Sequence, residues 1–227
     1  MIERSAHREV LVLAGGDPVP ASLASALPRP DRVIAADSGL AAAERLGLAV
    51  DLVVGDMDSV DPTLLARAEA DGARIERHPA AKEATDLALA LDAACEHAPA
   101  RVTVVGGHGG RLDHLLAGAL LLASERYATL EVGALMGTAT VTVVRERAVL
   151  TGEDGEVVSL LAAGGPARGV ETDGLAYPLA GETLWPGSTR GVSNALAGSQ
   201  ATVTLREGVL LAIQPGAHSP DPATAGG

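Results

Sequence analysis

The residues of this chain best suited to chemistry are aspartates at recurring positions. Asp37 ends the run VIAAD, Asp56 and Asp58 end LVVGDMDS, Asp86 closes KEATD, and Asp113 lies in GGRLDH. The first three follow stretches that read as buried strands, and the last two open stretches that read as helices. In a parallel α/β sheet, ligands bind outside the carboxyl ends of the strands, so all five acids are expected on one rim. Converging carboxylates repel one another and raise their own pKa values unless a cation intervenes. Mg²⁺ prefers carboxylate and water oxygens and bridges to phosphates, so it resolves that repulsion. Any one of these aspartates alone reads equally well as a helix or turn cap; the paired acids of GDMDS at a strand end favour function.

Two further features suit an anionic substrate. Gly106-Gly107-His108-Gly109-Gly110 follows a strand and opens onto a helix, where amide donors and the helix dipole attract phosphate. It is neither a P-loop nor a G-x-G-x-x-G turn. Arg111, Asp113 and His114, directly behind it, strengthen the case. Lys82 is the single lysine of the chain and stands four residues before Asp86. It reads either as a placed point charge or as a solvated loop residue.

These side chains need a scaffold, and the first two thirds of the sequence supply an alternation of strands and helices. Strands are expected at Glu9–Ala14, Arg32–Ala36, Leu52–Gly55, Ala73–Glu76, Arg101–Val105 and Thr129–Leu135. Their near-continuous aliphatic runs suit a parallel sheet covered on both faces. Helices are expected near Ala21–Ala26, Leu40–Leu46, Pro62–Ala70, Asp86–His97 and Arg111–Arg126. Beyond Val149, short β-like runs broken by Gly and Pro replace the helical periodicity: Val157–Leu161, Gly169–Thr172, Ala201–Leu205 and Val209–Ile213. Arg206-Glu207-Gly208 reads as a hairpin loop between the last two. The expected fold class is α/β: a parallel-sheet α/β catalytic domain over 1–148, followed by a small all-β, sandwich-like domain over 149–215. A disordered tail is expected over 216–227.

Bulk composition narrows the partners. A net charge of −12 argues against nucleic acid or an anionic membrane as the main partner. Cys95 is the sole cysteine, which excludes an internal disulfide and a thiolate metal cage. The chain has no Phe, and its aromatics are Tyr127, Tyr177 and Trp185, so its core must be aliphatic. The most apolar run, Leu115–Ala123, is about half the ~20 residues a membrane span needs. With no secretion-signal pattern at the N-terminus, a cytoplasmic protein is expected.

Taken in order, the motifs resemble those of the thiamine pyrophosphokinase (thiamine diphosphokinase) family. They are AAD at Ala35–Asp37, VDLVVGDMDS at Val50–Ser59, KEATD at Lys82–Asp86, GGRLDH at Gly109–His114, GLAYPL at Gly174–Leu179 and GVSN at Gly191–Asn194. Two positions depart from the family pattern: Ser38 replaces the first Gly of A-x-D-G-G, and Val50 replaces Pro. The resemblance implies transfer of diphosphate from ATP to the thiamine hydroxyl with release of AMP, and a requirement for Mg²⁺. It also implies a homodimer with sites at the subunit interface. Asp37, Asp56, Asp58 and Asp86 match the family's acidic positions, with Asp56, Asp58 and Asp86 expected on the metal. Gly109, Gly110, Arg111, Asp113 and His114 match the ATP-side motif. Thr85, Tyr177, Ser193 and Asn194 are expected toward thiamine, with Trp185 as a fallback. A tyrosine face over a cationic heterocycle is also sound as a cation–π contact.

The expected mechanism is in-line attack on the β-phosphorus, with Lys82 or Arg111 offsetting charge and Asp86 or Asp37 as base. Three rival functions fit the sequence less well. A haloacid-dehalogenase-type phosphatase is disfavoured because Asp56 follows Gly rather than an apolar residue and lies on the third strand. A pterin pyrophosphokinase would use similar chemistry, but GLAYPL and GVSN favour thiamine. A nucleotide- or thiamine-binding sensor without turnover would not need the full set of acids.

Overall fold

The structure is a computed structural model and describes residues 9–81 and 83–216. Lys82 and the tail beyond residue 216 lie outside the described residues. The chain divides into two compact units, Met1–Gly118 with Thr129–Gly137, and Ala119–Ala128 with Thr138–Gly227.

The first unit is built on six strands: β1 (Glu9–Ala14), β2 (Arg32–Ala36), β3 (Leu52–Gly55), β4 (Arg74–Arg77), β5 (Arg101–Gly106) and β6 (Glu131–Met136). They lie in the order β6-β5-β1-β2-β3-β4, and every neighbouring pair is parallel. Val10, Leu11, Val12 and Leu13 are all buried. A strand covered on both faces needs no polar alternation, which is why β1 is legible as an unbroken aliphatic run. The covering helices are α1 (Leu40–Leu46), α2 (Pro62–Ala70), α3 (Asp86–Cys95) and α4 (Leu112–Leu122). One aliphatic cluster joins Ala43 and Leu46 of α1 to Leu11, Leu13, Val33 and Val105 of the sheet. Another joins Leu65 of α2 to Ala35 and Val53.

Local chemistry sets the helix starts. The Asp61 carboxylate accepts from the Thr63 and Leu64 amides at 2.7 and 3.1 Å, with Pro62 opening α2. Thr85 caps α3 by accepting from Ala88 N at 3.2 Å. Three expected helices are shorter in the structure, the Asp86–His97 one ending at Cys95. The Ala21–Ala26 stretch forms a single 3-10 turn, Ala21–Ser25. The Arg111–Arg126 stretch ends its α-helix at Leu122, and Ser124 caps a separate turn at Glu125–Tyr127. Among the described residues, no helix is long and apolar enough to cross a membrane.

The strand order fixes where a ligand can bind. From β1 the chain steps outward through β2, β3 and β4, then returns to the far side of β1 as β5. The connections leaving β1 and β5 therefore part in opposite directions. A crevice opens at their carboxyl ends, the usual ligand position in such sheets.

The second unit is antiparallel β: β7 (Ala139–Val144), β8 (Arg147–Thr151), β9 (Val157–Ala162), β10 (Ala167–Asp173), β11 (Ala180–Leu184), β12 (Asn194–Ala195), β13 (Gln200–Thr204) and β14 (Leu210–Gln214). Strands β12-β9-β14-β7 form one layer and β11-β10-β13-β8 the other. Leu160 and Leu210 from the first meet Leu150, Val170 and Val203 from the second in one aliphatic core. The hairpin expected at Arg206-Glu207-Gly208 does not form. β13 pairs with β8 and β10, whereas β14 pairs with β7 and β9, so this segment carries the chain from one layer to the other. Turn residues report that the chain reverses, not which strand it pairs with next.

Candidate active site

The crevice of the first unit is a cleft of roughly 620 Å³. Its walls include Asp37, Asp56, Asp58, Thr85, Asp86, Gly109, Gly110, Arg111 and His114, all singled out by the sequence. Asp113 is not on its wall. Thr85 spends its hydroxyl acceptor on the cap of α3 while also facing the cleft.

The acids are placed by backbone that few residues tolerate. Asp37 follows β2 directly and adopts a left-handed φ of 46°, an uncommon conformation for a non-glycine residue. It is only 7% exposed, and its Oδ1 has no hydrogen-bond partner. Burial pushes its carboxyl above the usual aspartate range; the Ser38 amide offsets part of that, and the charges of Asp86, Asp56 and Asp58 add to it. Met57, also left-handed at φ 64°, tucks its side chain into the core between two acids that face the cleft. The Asp58 amide donates to Asp56 Oδ1 at 3.2 Å, and Ser59 Oγ donates to Asp58 Oδ1 at 2.8 Å. Gly55 is required beside them: a Cβ there would lie 2.9 Å from Asp86 Oδ1 and 3.0 Å from Asp37 Cβ.

Among the described residues, Asp37, Asp56 and Asp58 each bring a ligand atom within 4.8 Å of the others'. The sequence-based expectation placed Asp86 in that trio and Asp37 outside it. An orphaned, buried carboxylate oxygen beside two further carboxylates suits a hard divalent cation with oxygen ligands.

Two glycine-containing loops also line the cleft. The Gly107 amide donates to Gly15 O at 3.0 Å, and the Asp17 amide donates to His108 O at 2.8 Å. These bonds tie the loop after β1 to the loop after β5 across the switch point. Gly15 and Gly16 line the cleft and escape detection from sequence, although the double glycine closing VLAGG at a strand end is the available signal. Behind the second loop, Arg111 Nε donates to Asp113 Oδ1 at 3.1 Å. This pairing holds the Asp113 carboxyl down to about 2. Asp113 thus steers the guanidinium rather than facing the cleft.

Tyr177, Ser193 and Asn194 come together in the second unit. Asn194 Oδ1 accepts from the Tyr177 amide at 2.9 Å and its Nδ2 donates to Tyr177 O at 2.7 Å. Asn194 is buried and brackets the Tyr177 backbone, while Tyr177 itself is 64% exposed. Ser193 is left-handed at φ 56°, and its amide donates to Ser159 Oγ. Trp185 carries the Arg168 guanidinium 5.6 Å from its ring centre.

Comparison with known proteins finds relatives that cover both units. Residues 23–132 match the family model of the thiamin pyrophosphokinase catalytic domain, and residues 140–210 that of the thiamin pyrophosphokinase vitamin B1 binding domain. The thiamine pyrophosphokinase of Bacillus subtilis is 28% identical over 162 residues, which is 70% of this chain and 76% of that protein. Its crystal structure superposes with a TM-score of 0.80 at 25% identity, over 92% of this chain and 99% of that one. The thiamin pyrophosphokinase of Geobacillus thermodenitrificans gives 0.77 at 25% identity, over 95% and 99%. The Candida albicans enzyme, at 15% identity and a TM-score of 0.79 over 92% and 89%, shares the fold. With family matches across both units and Asp37, Asp56, Asp58 and Asp86 lining one cleft, this chain belongs to the thiamine pyrophosphokinase family.

Proposed function

We infer that the chain transfers diphosphate from ATP to the hydroxyl of thiamine, giving thiamine diphosphate and AMP. The observation that carries this reading is the sharing of one cleft by the Asp37, Asp56 and Asp58 trio and the tied glycine loops. Acids suited to a cation face amides suited to phosphates. Asp37, Asp56 and Asp58 would hold Mg²⁺, which when bound would offset the charge of the triphosphate. The amides of the Gly107–Gly110 loop and the Arg111 guanidinium take phosphate oxygens, so the donor chain is fixed before the hydroxyl arrives. Asp86, outside the trio and at the first turn of α3, accepts the hydroxyl proton as the oxygen bonds to the β-phosphorus. The bond from that phosphorus to the α–β bridging oxygen breaks, and AMP leaves with it. Tyr177, from a second copy of the chain, offers its ring face to the thiazolium cation; Asn194 holds it in place.

Incubation with ATP, Mg²⁺ and thiamine yields thiamine diphosphate and AMP in equal amounts, and EDTA stops both. ADP with thiamine monophosphate would refute diphosphoryl transfer. Binding of thiamine without either product would favour a sensor.

The working state is a cytoplasmic homodimer. Its support is a stripe on α4: Leu112, Leu116 and Leu120, four residues apart and hence on one helix face, are 67%, 55% and 59% exposed. Leu116→Glu places a charge in that stripe. It shifts the protein to monomer in sedimentation velocity and lowers turnover by about tenfold or more, because a buried unpaired charge costs several kcal/mol. An unchanged dimer would remove α4 from the interface.

A further inference from the structure

Part of the cleft's lining is apolar and is not used by the phosphate and cation chemistry. Its walls there are Leu87 from the first turn of α3, and Ala117 and Gly118 from α4. Arg111, His114 and Gly118 stand at i, i+3 and i+7, so all three follow one line from the glycine loop along the cleft. Gly118 is buried in the middle of LDHLLAGALLL, a segment otherwise rich in leucine and alanine. Glycine is the poorest helix former after proline, and alanine the best, so a glycine here needs a reason.

Packing between the helices does not supply that reason. A Cβ on Gly118 would meet a single atom within 4 Å, Leu87 Cδ2 at 3.3 Å. That atom is the tip of a flexible side chain, which could yield to a methyl group. Leu87 and Gly118 both line the cleft, so a side chain at position 118 would compete with Leu87 for room along its lining. The space protected by the missing side chain is therefore space inside the site. The cleft itself is marked as a ligand site independently by the buried, unpartnered Oδ1 of Asp37 in its lining.

We propose that Gly118 is a specificity-determining residue whose absent side chain, with Leu87 opposite, leaves a slot for the aminopyrimidine ring of a substrate. A slot between an aliphatic side chain and bare helix backbone suits a flat ring with apolar faces. The proposal rests on the diphosphotransferase reading, in which both substrates carry such a ring: adenine in ATP and the pyrimidine of thiamine. In either case the ring lies beyond the phosphate loop along α4, and the side chain at position 118 decides whether it fits.

The test compares wild type, Gly118→Ala and Gly118→Leu for KM toward each substrate, kcat, and direct calorimetric binding of Mg-ATP and of thiamine. Gly118→Leu raises KM and Kd for one substrate by at least about tenfold, the size of effect expected when added methylenes crowd an apolar pocket. The other substrate's constants and kcat stay within about threefold, since lost ground-state fit moves KM rather than turnover. A loss confined to ATP assigns the slot to adenine, and one confined to thiamine assigns it to the pyrimidine. Gly118→Ala shows the same trend in smaller measure and melts no lower than wild type, which a purely structural glycine losing activity by misfolding would not do. Adding Leu87→Ala to Gly118→Leu restores most of the affinity. Unchanged binding of both substrates in a folded Gly118→Leu overturns the proposal; should that variant not fold, unchanged binding in Gly118→Ala does so. Wild-type protein that binds both substrates but forms no product would defeat the reaction reading alone, and calorimetry would still decide the slot.

Discussion

Asp58→Asn lowers thiamine diphosphate formation by about a thousandfold at saturating Mg²⁺, near the upper end of what losing one electrostatic stabiliser of a transition state costs. The amide keeps the size of the side chain and can still accept from Ser59 Oγ, so the local turn survives. What is lost is one of the three charges gathered within 4.8 Å. Product counted by chromatography at rising Mg²⁺ separates weaker metal affinity, which excess metal restores, from a lost charge in the transition state, which it does not. Near-normal turnover would remove the acid trio from the mechanism.

Asp37→Asn is the informative contrast, because it separates stability from activity. The Asp37 carboxyl sits above its usual range in the folded chain, so between the unfolded and folded values the folded state holds the extra proton. Stability from this group is therefore lost as pH rises through its folded pKa, and the penalty persists above it. The amide carries no such penalty. Metal-free Asp37→Asn melts higher than metal-free wild type at pH 8, and the gap closes as pH falls toward the ordinary aspartate value of 3.8. Its activity falls, as that of Asp58→Asn does, while its melting temperature rises. Equal melting temperatures at pH 8 would mean that the folded protein already neutralises this carboxylate.

Gly109→Ala has the second large effect, for geometric reasons. Gly109 sits at φ +76°, and a Cβ there would come within 2.0 Å of the Asp17 carboxyl group. Left-handed backbone at a non-glycine residue costs about 1–3 kcal/mol, and the clash adds to it. The exposed Asp17 carboxyl can swing aside, so the lasting strain falls on the backbone of the loop that the Asp17 amide bond to His108 O ties down. The expected result is a loss of about a hundredfold in kcat/KM for ATP, since displacement of positioning groups by an ångström costs that much. KM for thiamine changes little. A variant with normal ATP kinetics would show that the loop amides do not hold the phosphates.

Sequence is most informative where local pattern and tertiary role coincide. The buried strands β1, β2 and β3 announce themselves as aliphatic runs with matching ends, and the acids of the trio follow β2 and β3. Asp61 and Pro62 mark the start of α2 for the same reason. The trio is only half legible: the membership of Asp37 depends on its left-handed turn and on which side chains neighbouring strands bring near, and neither is written in spacing. Gly15 and Gly16 escape notice because a pair of glycines means little until strand order sets β1 beside β5. In the second unit, β7, β8, β11 and β12 are not legible, since short strands between Gly and Pro carry a weak period-two signal.

The uneven placement of aromatic residues has an experimental consequence. Tyr127, Tyr177 and Trp185 all belong to the second unit, and the chain has no Phe. The unit that holds the acids and the glycine loops is therefore silent in near-ultraviolet absorption and emission. Intrinsic fluorescence during a melt follows the β unit through one half-exposed indole under an arginine. A fluorescence transition assigned to the whole protein would miss separate opening of the catalytic unit. Far-ultraviolet circular dichroism at the helical minimum reports on that unit, because α1, α2, α3 and α4 begin within it.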